Sequence, residues 1–299
     1  MSAEKIIKVN HVTRVEGHGN IHIRIKDGKV EECQWQVVEA PRFFEAMLRG
    51  RKWYEIAHIT SRICGICSIG HTLTSLKATE AAMGVTLSEQ TEKFRRLLVH
   101  AENLQSHILH LGYLVLPDLL GVPSVIPLAS THKDEVLLVV RLHRLANEMS
   151  ALVGGRTTHP QRPVVGGFTK WPTTEEMETL RRRLADCVPD VEAVASLIKS
   201  LAGKLPRFTR ETEYIGLTSA DEYALYDGDI ASTDGRTWPV NQYKEITNEY
   251  LVPHSTAKFT RHKRDSYMVG ALARLNLNYD QLTPKAKQVA ETFGLRPIN

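Results

Sequence analysis

The chain has 299 residues, 42% hydrophobic and 24% charged, the balance of a globular protein that can bury a large core, so a disordered chain is excluded. Its net charge of +4 is spread out and is densest at Arg181 to Arg183, without interleaved aromatics, which argues against a nucleic-acid partner. No apolar run approaches the roughly 18 residues of a spanning helix, and Met1 to Asn10 lacks the apolar core of a signal peptide.

Strands come first. Lys5 to Val9, Ile21 to Ile25 and Val30 to Val38 are β-branched and partly alternating, and Asp27-Gly28 reads as a hairpin turn. From Pro41 the apolar period lengthens to that of a helix, predicting helices over 42–48, 70–83 and 88–116. In the last of these, Phe94, Leu97, Ala101, Leu104, Ile108 and Leu111 form one stripe, Ser88 caps the start and Pro117 stops the end. Further helices are expected over 133–152 and 173–201, the second interrupted at Pro189.

Residues 205–262 carry turn signals at Asp227-Gly228 and Asp234-Gly235 and read as hairpins. Helices over 264–275 and 284–293 follow. The expected class is α+β, mainly helical: an N-terminal antiparallel sheet (1–40), a long-helix bundle (41–204), and a mixed hairpin-containing region with C-terminal helices (205–299), in one continuous unit.

The chemistry concentrates in Arg-Ile-Cys-Gly-Ile-Cys-Ser-Ile-Gly-His, residues 62–71. Two residues between Cys64 and Cys67 let both sulfurs turn to one point, which suits a thiophilic ion, and Gly65 lets the backbone tighten. His71, four residues after Cys67, is spaced to hydrogen-bond a sulfur or to sit in the core as an ordinary histidine. By itself the pair fits zinc, a redox dithiol or an iron–sulfur cluster. Cys33 and Cys187 stand alone and read as packing residues. The four cysteines make no disulfide framework, which points to a reducing, cytoplasmic compartment.

Four blocks in order give the pattern a family. Arg14-Val15-Glu16-Gly17-His18, Pro41-Arg42-Phe43-Phe44-Glu45, Arg62 through His71, and Gly154-Gly155-Arg156 with His159-Pro160 resemble the large subunit of nickel–iron hydrogenases. Tyr226-Asp227-Gly228-Asp229 and the run from His254 to Gly270 resemble its soluble cytoplasmic branch, linked to NAD(P) or a comparable carrier, or sulfhydrogenase-like.

The resemblance implies heterolytic H2 cleavage at a nickel–iron centre carrying cyanide and carbon monoxide. Cys64 would be a terminal nickel ligand, Cys67 the bridge between nickel and iron, and His71 a donor to the bridging sulfur. Glu16 would be the proton-relay carboxylate, and Glu45 a ligand to magnesium or iron. Without the family, Glu16 is a solvated glutamate and Glu45 the polar side of an amphipathic helix. His107, His110 and Asp118 resemble family positions near the site, though three polar groups spaced along a helix are more often structural; Arg62 would either screen the cyanide-bearing iron or form an ion pair, and Arg14 is expected in an ion pair.

Electrons would leave through iron–sulfur clusters of a separate small subunit, then a diaphorase-type or other electron-transfer module. The family's second Cys-x-x-Cys, near its C-terminus, is absent here, so this chain would supply two of four thiolates. The other pair would come from a second polypeptide, or the chain is truncated, or it has lost the metal. In the last case it would be a noncatalytic scaffold, similar to the quinone-module subunit of complex I, with room for a zinc on Cys64, Cys67 and His71.

Overall fold

A computed structural model describes residues 4–297. The first three residues of the Met1–Asn10 stretch and the last two of the Gly294–Asn299 ending lie outside them. β1 (Glu4–Val9), β2 (Gly19–Lys26) and β3 (Lys29–Val37) form an antiparallel sheet in that order. Asp27 and Gly28 turn the β2–β3 hairpin at positive φ, 49° and 77°, with Lys26 paired to Lys29. Such a turn matches the twist of its strands. Within these strands only Gly19 is buried: a Cβ there would stand 2.5 Å from the Trp35 ring that covers it.

The helical layer follows as α1 (Pro41–Leu48), α2 (Trp53–Thr60), α3 (Ser68–Met83) and α4 (Glu89–Leu109). The Ser88 hydroxyl caps α4, accepting from Thr91 N at 3.2 Å. The stop expected at Pro117 is corrected. The chain runs through a π turn, His110–Val115, into α5 (Leu116–Leu120), and Pro117 sits in the first turn of α5, where its missing N–H costs nothing.

α6 (Val125–Thr131) and α7 (Lys133–Gly154) return along α4. α8 (Thr174–Asp186) and α9 (Val188–Leu201) break at Cys187, with Pro189 in the first turn of α9, so the expected interruption falls just ahead of the proline.

α4 is apolar on two faces, which is why it lies at the centre of the bundle. Ile108 packs with Val139, Leu142 and Ala146 of α7 and with Val194 and Ile198 of α9. Leu98, outside the predicted stripe, is fully buried against Ile69, Leu73 and Leu76 of α3 and Val153 of α7. A Cβ at Gly112 would fall on Val139 Cγ1. Gly112→Ala would gain about 1 kcal/mol in helix propensity. It would lose about 1–3 kcal/mol to overpacking against a β-branched side chain that cannot swing aside. Net destabilisation is therefore expected, read as a lower denaturation midpoint at unchanged slope.

One buried ion pair joins three elements. Arg95 of α4 donates to both carboxylate oxygens of Glu80 on α3, each at 2.6 Å, and to Val164 O at 2.9 Å. Glu80 also accepts from Gly166 N at 2.8 Å, drawing in a hairpin of β4 (Pro163–Val164) and β5 (Gly167–Phe168). Both charged side chains are buried. Removing one partner leaves the other uncompensated, so Glu80→Ala should cost about 3–5 kcal/mol, and adding Arg95→Met should recover much of it. Thermal unfolding of the single and double variants checks this.

The mixed region builds a sheet ordered β8-β7-β6-β9. Its strands are β6 (Glu213–Thr218), β7 (Asp229–Ser232), β8 (Arg236–Trp238) and β9 (Tyr267–Met268), with α10 (Lys244–Thr247) between β8 and β9. β9 pairs parallel to β6.

The helix expected from Arg264 is corrected to α11 (Ala271–Asn278), with α12 (Pro284–Thr292) after it. Arg264 is committed to Asp234 and Glu211, and the backbone N–H groups of Lys263 and Arg264 bond the buried Glu213 carboxylate, which holds this stretch as loop. Thr256 and Ser255 reach back to the backbone of Val37, tying the mixed region to β3. The fold is α+β and mainly helical. Among the described residues no single helix is long and apolar enough to cross a membrane.

Candidate metal centre

The loop from the end of α2 to the start of α3 carries both sulfurs. Cys64 is 6% exposed, and Cys67 N donates to its Sγ at 3.2 Å. The expectation of two unbridged cysteines is corrected: the sulfurs are joined, with Cα atoms 5.5 Å apart. The convergence that lets two thiolates share an ion also brings them within bonding reach. Cys33 and Cys187 are free.

Glu16, 48 residues earlier on the loop between β1 and β2, places Oε1 3.5 Å from Cys64 Sγ. That loop is anchored from the far end of the bundle. Arg14, with φ of 66°, grips Asp118 of α5 through Nε at 3.0 Å and Nη2 at 2.8 Å, the ion pair expected for Arg14. Two residues beyond Glu16, His18 Nδ1 lies 2.6 Å from Glu39 Oε1.

Two residues that the motif reading left without a role hold the loop at its shoulders. His159, at a left-handed φ of 55°, donates its backbone N–H to Ser68 Oγ at 2.8 Å, and its Nδ1 lies 2.8 Å from Ser61 O. Ser61 precedes the cysteines, Ser68 follows them, and both are buried. Glu102 of α4 accepts from Ile69 N and Gly70 N, each at 2.9 Å. Burial pushes its carboxyl above the usual carboxylate range, and the two N–H donors oppose that. A helix opening on cysteine, with no Ser, Thr, Asp or Asn to cap it, was the signal that an acceptor must come from elsewhere.

Among the described residues, none of the other expected site residues hydrogen-bonds either sulfur. The His71 ring lines an apolar groove with Leu48, Trp53, Ile56 and Ile63, and no hydrogen bond joins it to either sulfur. Cys67 is the N-cap residue of α3, with non-helical φ of −117°. Burial holds the His71 imidazole below its ordinary value. Glu45 of α1 bonds Lys258 Nζ at 2.8 Å. Arg62 donates to Ser61 Oγ at 2.8 Å, and His107 and His110 are exposed on α4 and the π turn that continues it. Among the described residues no three His, Cys, Asp or Glu side chains cluster as a metal site.

Fold and site together define a mainly helical α+β protein that brings two converging sulfurs and a carboxylate to one loop. Residues 42–136 match the nickel-dependent hydrogenase family, and residues 6–40 match a HoxL-like family. The chain is 35% identical to the alpha subunit of sulfhydrogenase 1 of Pyrococcus furiosus over 289 residues, covering 95% of this chain and 67% of that one. It is 30% identical to the vhc F420-non-reducing hydrogenase subunit of Methanococcus voltae, covering 96% and 66%.

Among solved structures, an NAD+-reducing [NiFe]-hydrogenase in the H2-reduced state superposes with a TM-score of 0.81 at 31% identity, over 91% of this chain and 66% of that one. The chain belongs to the nickel-dependent hydrogenase large-subunit family. It spans about two thirds of the length of these relatives.

The donor set fits half of a nickel–iron site. Soft sulfurs suit nickel through changes of oxidation state, one of them is shielded from water, and a proton acceptor stands beside it.

Proposed function

We propose that this chain is the N-terminal part of a nickel–iron hydrogenase large subunit, in which Cys64 and Cys67 supply two of the four thiolates. One observation carries this: the buried Cys64 sulfur, converging with Cys67, has the Glu16 carboxylate 3.5 Å away. When bound, the nickel–iron centre supplies heterolytic cleavage of H2.

Cys64, as thiolate, is stabilised by the Cys67 N–H. Glu16 Oε1 takes a proton from that sulfur and returns it, while Arg14 and Asp118 hold its loop in reach. Once the Cys64–Cys67 pair is reduced to thiolates, His159 and Glu102 keep the loop from spreading, so the sulfurs stay convergent on one ion. The remaining pair of thiolates comes from sequence beyond this chain or from a second polypeptide.

Exposed Phe43, Trp53, Tyr54, Ile63 and Ile66 lie on and around the cysteine loop and give apolar surface for such a partner. The electron acceptors are a small iron–sulfur protein partner and, beyond it, an NAD(P)-linked diaphorase-type module. Free Cys33 and Cys187 support a cytoplasmic setting. The zinc scaffold is disfavoured because its third ligand, His71, faces the apolar groove.

The test is metal and infrared analysis of the matured complex. Nickel and iron in equal amounts, with carbon monoxide and cyanide bands, are expected; zinc or no metal would sink the proposal.

A further inference from the structure

α3 begins with a defect in its own sequence. A helix leaves its first N–H groups unpaired and its N-terminus partly positive, and a Ser, Thr, Asp or Asn side chain at the N-cap normally answers both. Here the N-cap is Cys67, which makes no side-chain cap bond. Its sulfur is turned to Cys64 instead.

The missing acceptor arrives from α4. Each oxygen of Glu102 takes one donor, Ile69 N and Gly70 N, both at 2.9 Å. Glycine at 70 lets the carboxylate approach closely, since a Cβ there would stand 3.0 Å from Glu102 Oε2 and press on it. This carboxylate therefore caps the turn that starts at Cys67.

We propose that Glu102 is the positioning residue for Cys67: it fixes where that sulfur points and neutralises the helix end directed at it. The assignment rests on the nickel–iron reading and extends it to a residue that touches neither metal nor sulfur. Taking away its charge makes the helix end more positive beside Cys67 and draws electron density from the thiolate.

The experiment uses the matured complex with Glu102→Gln, Glu102→Asp and, as a control near the far end of α3, Glu80→Gln. Infrared spectra and nickel titrations are recorded on all of them. Glu102→Gln keeps the shape and loses the charge, so the carbonyl band should move to higher frequency and the nickel potential upward. Glu102→Asp keeps the charge on a shorter arm and should return the band part of the way. Glu80→Gln should lower thermal stability and leave the band in place.

Amide exchange at Ile69 and Gly70 in the unmatured chain should quicken by about 10- to 100-fold in Glu102→Gln, the loss of a charged hydrogen bond. The assignment is overturned if the Gln variant keeps the wild-type band and potential, or if the Glu80 control moves them as far. Should Gln fail to fold, the Asp variant decides: an unshifted band with unchanged exchange at 69 and 70 also overturns it. A wild-type complex without nickel or carbonyl bands would instead sink the nickel–iron reading itself.

Discussion

Cys67→Ser is expected to yield a folded chain that carries no nickel. Serine nearly matches the cysteine in shape, and the bonds that hold the loop, from His159 to Ser61 and Ser68 and from Glu102 to Ile69 and Gly70, do not use the sulfur. Measured against the wild type with the Cys64–Cys67 pair reduced, the stability change should stay within about 1 kcal/mol. Binding has no such tolerance, because a hydroxyl stays protonated where a thiol ionises and its hard oxygen is a poor ligand for nickel. Cys64→Ser should behave alike, with an added loss where Cys67 N–H gives up its acceptor. Circular dichroism and elemental analysis of each variant check both halves, and stoichiometric nickel in either one contradicts the ligand assignment.

Glu16→Gln separates the proton from the metal. The amide keeps its place beside Cys64 but cannot accept and pass on a proton, so nickel content and infrared bands should match the wild type. H2-dependent turnover and hydrogen–deuterium exchange should fall by about 10²- to 10⁴-fold, the usual worth of a positioned general base. A carboxylate restored by Glu16→Asp should recover part of the rate, limited by the shorter reach. Exchange within twofold of wild type in the Gln variant would remove Glu16 from the proton path.

Local chemistry was legible where one segment controls it. The β2–β3 hairpin follows from Asp27-Gly28, since those residue types tolerate the positive φ that the turn imposes. α7 follows from its apolar spacing, and α12 from its spacing with Thr283 at its N-cap. Errors arose where a distant group competes. Pro117 does not end its helix because a π turn shifts the register ahead of it, and Arg264 does not start one because Asp234, Glu211 and Glu213 hold it as loop. Leu98 escaped the predicted stripe because a single periodic face assumes one neighbour, and α4 has two.

Site legibility divides the same way. Cys64 and Cys67 are readable because their chemistry belongs to their own atoms and their convergence needs only a three-residue span. For His71 the helical spacing gives a place in sequence, while its surroundings, an apolar groove lined by Leu48, Trp53, Ile56 and Ile63, come from the packing of α1 and α2 against α3.

By itself, then, the amino-acid order determined the convergence of Cys64 and Cys67, the β2–β3 hairpin, the helices set by local apolar spacing, and the family. Tertiary structure alone decided that Glu16 meets Cys64 across 48 residues, that His159 spans both shoulders of the loop across more than 90, and that Glu102 completes a helix which cannot cap itself. The reason is physical. Torsion preferences and side-chain chemistry act over a few residues, whereas a buried polar group accepts whichever partner the packed chain brings within about 3 Å.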